Sequence, residues 1–280
     1  LGDVYKRQTW QNIIWKSRLP QALTALVAGA GLSISGLQMQ TVFRNPLAGP
    51  SVLGISSGAS MGVAFVVLLS GSLGGVALSK LGFMGEIALS IAAVIGSLSV
   101  MALIVYVSQK VKGNVTLLII GVMIGYVANA VIGVLKFFSV EEDIRAYVIW
   151  GLGSFARVSG NQMTLFAILM TILIPLSFLL IKTMNLMLLG DSYARNLGLN
   201  IKRARLLVIT SAGVLTAIVT AYCGPIIFLG LAVPHLCRAI FQTSDHRILM
   251  PAVLFAGAAL ALICNLIARM PGCLLYTSPS

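Results

Sequence analysis

Acidic side chains are scarce in this chain: Asp and Glu total 7 in 280 residues, against 19 Lys and Arg, with only 2 His. Charged residues of either sign make up 9%, where soluble domains carry roughly 25%, so no water-facing surface could be covered. No carboxylate falls near the middle of an apolar run. Glu86 stands at a run boundary. Ion-coupled carriers often place a carboxylate at membrane depth, so its absence counts against self-powered transport. GxxxxGK[ST] is missing, so no loop can cradle a nucleotide. HExxH is missing as well. Cys223, Cys237, Cys264 and Cys273 form no CxxC pair, and cysteines inside apolar runs behave as small hydrophobes. His235 and His246 are read as a residue packed at a helix end and one at the headgroup boundary, not as metal ligands. Glu141, Glu142 and Asp143, the one acidic cluster, read as a solvated outer loop. The net charge of +12 is scattered singly between apolar runs, which suits loops facing anionic headgroups and not nucleic acid.

What remains is hydrophobic: 58% of the residues. A spanning helix needs roughly 20 apolar residues across about 30 Å of hydrocarbon. Runs of that kind are Leu19–Thr41, Val52–Leu69, Glu86–Val107, Thr116–Phe138, Thr164–Ile181, Leu206–Tyr222, Ile226–Phe241 and Ile248–Ala268. They predict an all-α, polytopic helical membrane protein with about eight transmembrane helices. The seventh run is short and carries Pro234, so it is expected to be broken or tilted. Alternate loops place ten basic residues on one side: Arg44, Lys110, Lys112, Lys182, Arg195, Lys202, Arg203, Arg205, Arg238 and Arg247. Seven fall on the other: Lys16, Arg18, Lys80, Lys136, Arg145, Arg157 and Arg269. Half of the ten lie between Lys182 and Arg205, which makes that loop cytoplasmic by the positive-inside rule.

Two stretches look built for more than anchoring. Between Arg18 and Gly62 an apolar run ends in a polar knot, RNPLAGP, and the next run opens on GISSGAS. Gly54, Gly58 and Gly62 recur every four residues, as do Gly121 and Gly125, and such stripes bring helices into backbone contact. The first stripe is interleaved with Ser56, Ser57 and Ser60. A helix start beside Pro46, Gly49 and Pro50 can instead present unpaired N–H groups to a polar path. Packing and path both fit this stripe. The second stretch, Leu189–Leu207, is amphipathic and does not span. Asp191 is suited to cap a short helix that Gly198 stops, and Ile201 can begin another that leads into the next run. Such a knob would dock a cytoplasmic partner.

These residues resemble the FecCD-type permeases, the membrane subunits of bacterial ABC importers for iron-siderophores, haem and cobalamin. The matching pieces are RLPQ at Arg18–Gln21, SGLQMQTVFRNPLAGPSVLGISSGAS at Ser35–Ser60 and LGDSYARNLGLN at Leu189–Asn200. They continue with GPIIFLGLAVPHLCR at Gly224–Arg238 and DHRILMPAVLFAGA at Asp245–Ala258. The resemblance implies a type II importer permease fold in the bacterial inner membrane. It also implies a second permease copy, a periplasmic or lipid-anchored substrate-binding protein, and separate ABC ATPase subunits that hold the ATP and Mg. No cofactor, metal ligand or catalytic residue is expected on this chain. Gly190, Asp191, Ser192, Ala194, Arg195 and Gly198 match the family's ATPase-coupling helices, within a coupling loop 189–205. Arg18 and Arg269 match its arginines that dock the binding protein. The candidate path and gate are Asn45, Pro46, Gly54, Ser56, Ser57 and Gly58 at the first break, with Gly224 and Pro225 just before the seventh run and Pro234 and His235 within it. Gln21 stands where the family usually has a second Arg, and Asn265 where it usually has Asp. Residues 1–8 and 273–280 break the hydropathy pattern like foreign tails around a permease domain at 9–272. The family's first and last helices are not seen, so the chain is expected to be a fragment. An iron chelate is the expected cargo, then haem, then cobalamin. The alternative activity is a secondary carrier driven by an ion gradient.

Overall fold

The computed structural model describes residues 11, 13–72, 83–111, 114–158 and 160–269. The two expected tails, 1–8 and 273–280, lie outside the described residues. Every regular element among the described residues is helical. In chain order they are α1 (Leu19–Phe43), α2 (Ile55–Ser72), α3 (Phe83–Lys110), α4 (Asn114–Phe137), α5 (Glu141–Gly151) and α6 (Gly160–Phe178). Then come α7 (Ile181–Leu188), α8 (Asp191–Asn196), α9 (Ile201–Cys223), α10 (Leu229–Phe241) and α11 (His246–Ile267). A π-helical turn, Ile14–Arg18, leads into α1.

All eight apolar runs are helical, but they are not eight equal spans. Five helices are long and apolar enough to cross a bilayer: Leu19–Phe43, Gly85–Lys110, Val115–Phe137, Ile201–Cys223 and His246–Ile267. The fifth run, Thr164–Ile181, covers the first helix of a bent pair, Gln162–Phe178 and Ile181–Leu188, turning 45°. The second and seventh runs are the shorter helices Ile55–Leu69 and Leu229–Phe241. Each falls short for a visible reason. Before α2 the chain spends residues 44–54 in turns and the 3₁₀ helix Pro50–Leu53. Before α10, residues 224–228 are non-helical.

Helix α1 is the hub. It is buried through its inner two thirds and packs on α6, α9, α10 and α11. A helix surrounded by protein must be apolar or small all round, and the sequence supplies glycines where backbones meet. A Cβ on Gly29 would strike the Gly257 carbonyl of α11, and one on Gly36 the Gly230 carbonyl of α10. Helices α2 and α3 pack the same way, with Gly58 against Gly96 and Val100, and Gly62 against Ala92. In a bilayer lipid competes equally for apolar faces, so this close approach is what favours helix on helix. Helix α4 shows its apolar residues outward, with Ile119, Met123, Tyr126 and Val127 all exposed.

The acidic cluster is corrected by the structure. Glu141, Glu142 and Asp143 form the first turn of α5, not a loop. Carboxylates there offset the positive end of the helix dipole. Asp143 is buried, and its carboxyl is pushed above the ordinary range by that burial and by the neighbouring Glu142.

Candidate functional site

At the end of the bundle that carries Arg44 the bent pair α6–α7 hands over to a turn-helix-turn. Gly190 takes φ +96°, a conformation that L side chains rarely adopt, and starts α8. Gly198 takes φ +85° and ends it. There the Gly198 N–H donates to the Arg195 carbonyl at 2.9 Å and the Leu199 N–H to the Ala194 carbonyl at 2.9 Å. This is the paired closure of a glycine-stopped helix. Two residues later the Asn200 side chain accepts from the Arg203 N–H at 3.1 Å and caps α9. Six expected residues thus share one compact knob: Gly190, Asp191, Ser192, Ala194, Arg195 and Gly198. Ala194 is fully buried beneath it, while Tyr193, 70% exposed, and Leu197 face outward.

Asp191 does not cap α8; that expectation is corrected. Gly190 is the cap residue, and no side chain bonds there. The carboxylate instead accepts from Arg44 Nη2 at 2.6 Å and faces Arg205 Nη2 at 3.9 Å. Arg44 also donates to the Met187 carbonyl at 3.1 Å. It is the residue that closes α1, in a left-handed conformation at φ +48°. Just beyond it lies Asn45, whose Oδ1 accepts from the Leu47 N–H at 2.9 Å and folds the chain back. The knob and the start of the first break are therefore joined by one guanidinium.

The two breaks meet against α1. The first runs from Arg44 through Pro46 to Gly54, whose φ of +73° ends the 3₁₀ turn. Gly121 of α4 packs on Val52 and Leu53, and Gly125 packs beside Gly54. The second break begins at Gly224, φ +78°, which lies against Gly153, φ +66°, and the Trp150 carbonyl. The Ser154 N–H donates to the Cys223 carbonyl across this junction at 2.7 Å. Pro225 and Ile226 follow, and α10 then starts with Gly230 wedged between the Leu32 carbonyl and the Pro50 ring. Pro50, Gly36 and Gly230 thus bring both breaks and the hub helix to one point. Arg157 holds the outer side: it donates to the Trp150 and Ile149 carbonyls at 3.4 and 3.5 Å and lies 5.7 Å over the Trp150 ring. A cation at the last turn of α5 suits its dipole.

The remaining expected residues divide. Ser56 and Ser57 are half-buried at the start of α2, with Ser56 Oγ 3.5 Å from Thr220 Oγ1 of α9. Gly58 serves contact with α3. Pro234 is buried within α10. The histidines exchange their expected places. His235 is exposed midway along α10, and His246 is fully buried at the start of α11. His246 Nδ1–H donates to Asn185 Oδ1 at 2.7 Å, which leaves Nε2, 2.8 Å from Thr41 Oγ1, to accept from that hydroxyl. Asn185 Nδ2 donates to Asp245 Oδ1 at 2.6 Å, tying α7 to α11. The Arg247 N–H and the Asn185 amide hold the Asp245 carboxyl below its usual range. Arg238 donates to Gln40 Oε1 at 2.7 Å and pins α10 to α1. Sequence reading missed these ties because their partners lie far apart in the chain. Gly36 and Gly230 were missed too, although Gly29, Ser33 and Gly36 recur at close to the four-residue spacing that could have marked them.

At the opposite end Arg18 and Arg269 line one cleft of about 480 Å³, together with Asn265 and Ser154. Burial, then the nearby Arg18 charge, lowers the Arg269 pKa. Gln21 turns aside and donates to Ser17 Oγ at 3.3 Å.

Comparison with known proteins agrees with this architecture. The model of the FecCD transport family matches residues 2–272. The vitamin B12 import system permease protein BtuC of Klebsiella pneumoniae subsp. pneumoniae is 35% identical over 260 residues, 93% of this chain and 75% of the relative. The hemin transport system permease protein HmuU of Yersinia pestis is 36% identical over 261 residues, again 93% and 75%. A solved structure of a metal-chelate type ABC transporter in an inward-facing conformation superposes with a TM-score of 0.82 at 29% identity, covering 96% of this chain and 84% of that one. The chain belongs to the FecCD transport family and is a multi-pass inner-membrane permease of the ABC-importer kind.

Proposed function

We propose that this permease forms half of a homodimeric conduit. In this reading a separate ATPase drives it from the inner knob, and a substrate-binding protein feeds it through the outer Arg18–Arg269 cleft. The cargo is a metal chelate or corrinoid: an iron-siderophore first, then haem or cobalamin. The observation that carries this reading is the Arg44–Asp191 bond of 2.6 Å, because it links the knob to the residue that opens the first mid-membrane break. ATP on the partner favours one conformation of the paired ATPase, and it can shift the permease only by its differential affinity for the two states. Gly190, Asp191, Ser192, Ala194, Arg195 and Gly198 take up that motion. Arg44 passes it to Asn45, Pro46 and the Gly54 turn, where Ser56 and Ser57 border the path with Gly58 behind them. Gly224 and Pro225 flex on the outer side, and Pro234 and His235 ride on the half-length α10. No chemistry on the cargo is needed.

The test is reconstitution in liposomes with the cognate ATPase and binding protein. ATP-dependent uptake, with ATPase activity stimulated by loaded binding protein, is expected and should be lost in Ala194→Trp. Uptake that persists without the ATPase and collapses with an uncoupler would overturn the assignment. The ligand retained by the purified binding protein identifies the cargo.

A further inference from the structure

Beside the knob lies a cavity of about 370 Å³ between the inner ends of α3 and α9 and the flank of α8. Lys110, Arg195, Lys202 and Arg205 line it, with Asp191 as the one carboxylate. That carboxylate already accepts from Arg44 at 2.6 Å, so the four cations are left in surplus. Arg205 is 8% exposed, and its Nε has no hydrogen-bond partner among the described residues. Among the described residues its ion-pair partner is Asp191, 3.9 Å away. A buried guanidinium whose nearest carboxylate stands 3.9 Å away and is already bonded to Arg44 is costly, and a tetrahedral phosphate is the acceptor that its planar fork fits best. The first turn of α9, a 23-residue helix, adds its positive dipole end on the same side.

The position of the cavity says where the phosphate comes from. Lys110 is the last residue of α3 and Ile201 the first of α9. Two spanning helices therefore leave the hydrocarbon at the same level, the level of the inner-leaflet headgroups. We infer that this cavity is a binding site for the phosphate of an anionic inner-leaflet phospholipid, with Arg205 as its buried anchor and Lys110, Lys202 and Arg195 around it. Two of its lining residues, Asp191 and Arg195, belong to α8, so an occupied site would hold the knob against the membrane surface. The inference needs only the inner location of the knob and stands whether or not an ATPase docks there.

The experiment is native mass spectrometry of the full chain, titrated with phosphatidylglycerol, phosphatidylethanolamine or inorganic phosphate. One phosphatidylglycerol should be retained in preference to phosphatidylethanolamine. K110Q/K202Q should weaken it about 30-fold, as expected for two cations near an anionic surface. K182Q/R247Q, which removes two exposed inner charges away from the cavity, should leave it unchanged. Arg205→Met should abolish retention, and Arg205→Lys should recover part of it if the variant folds. Equal loss in both double variants would reduce the effect to diffuse electrostatics and overturn the site. Equal retention of the zwitterionic lipid would do the same, and displacement by millimolar inorganic phosphate would overturn the lipid source.

Discussion

Gly230 sits where both breaks meet the hub helix, and adding one methyl there measures how rigid that junction is. A Cβ at this position would lie 2.7 Å from the Leu32 carbonyl oxygen and 2.8 and 2.9 Å from the Pro50 ring. Ordinary contact begins at 3.4 Å, so the neighbours must retreat by 3.4 − 2.7 = 0.7 Å. None of them is the free end of a flexible side chain. The Leu32 carbonyl belongs to the buried α1, and Pro50 is a closed ring at the start of a 3₁₀ turn. Overpacking of this kind costs about 1–3 kcal/mol, offset by at most about 1 kcal/mol gained on replacing a helical glycine. Gly230→Ala should therefore destabilise the chain by about 1–2 kcal/mol when unfolded in mixed micelles, and slow uptake more than it lowers stability. The control is Gly133→Ala in α4, where nothing lies within 4 Å and the change should be neutral or slightly stabilising. Indistinguishable unfolding of the two variants would refute the junction as a close backbone contact.

Three further perturbations probe the other ends of the molecule. Arg44→Gln and Asp191→Asn remove a pair whose side chains are 42% and 43% exposed; a double-mutant cycle should give less than about 1 kcal/mol of stability, yet either change should uncouple ATPase activity from uptake. Asp143 binds its proton more tightly in the folded chain than in the unfolded one, so its contribution is complete below the ordinary carboxylate value and is lost as pH rises through the raised folded value. Asp143→Asn should therefore melt higher than the parent at pH 7, with the gap closing as pH falls toward about 4; a lower melting point at pH 7 would mean that the carboxylate has an ionic partner. Charge reversal at Arg18 and Arg269 together should weaken capture of the binding protein, most at low salt, and an unchanged affinity in surface plasmon resonance would remove the cleft from the docking surface.

The apolar runs made the long spans legible because length and apolarity alone decide whether a helix can cross, and α1, α3, α4, α9 and α11 each satisfy both. The first break was legible from local chemistry as well, in Pro46, Gly49, Pro50 and Gly54; the seventh run was expected to break or tilt at Pro234, but Pro234 lies within α10 and the break falls earlier, at Gly224 and Pro225. The stop of the short helix was legible from Gly198, whereas its start was ascribed to Asp191 and falls to Gly190. Asp191 was misread because a carboxylate at a helix start is usually a cap, whereas its actual partner Arg44 lies 147 residues away. The histidines were exchanged for the same reason. Nothing near His246 in the chain announces Thr41 and Asn185, which hold it in the interior, and the exposed His235 stands among apolar neighbours. The acidic turn at Glu141–Asp143 carried a legible signal, since carboxylates favour a helix start, and a weight on solvation hid it.

The most direct measurement is labelling of Tyr193→Cys with a membrane-impermeant maleimide in oriented vesicles of the complete complex. The account predicts modification only from the cytoplasmic face, and protection when the ATPase is bound, because Tyr193 projects from the knob at 70% exposure. Modification from the outer face, or unchanged labelling with the ATPase in place, would contradict it.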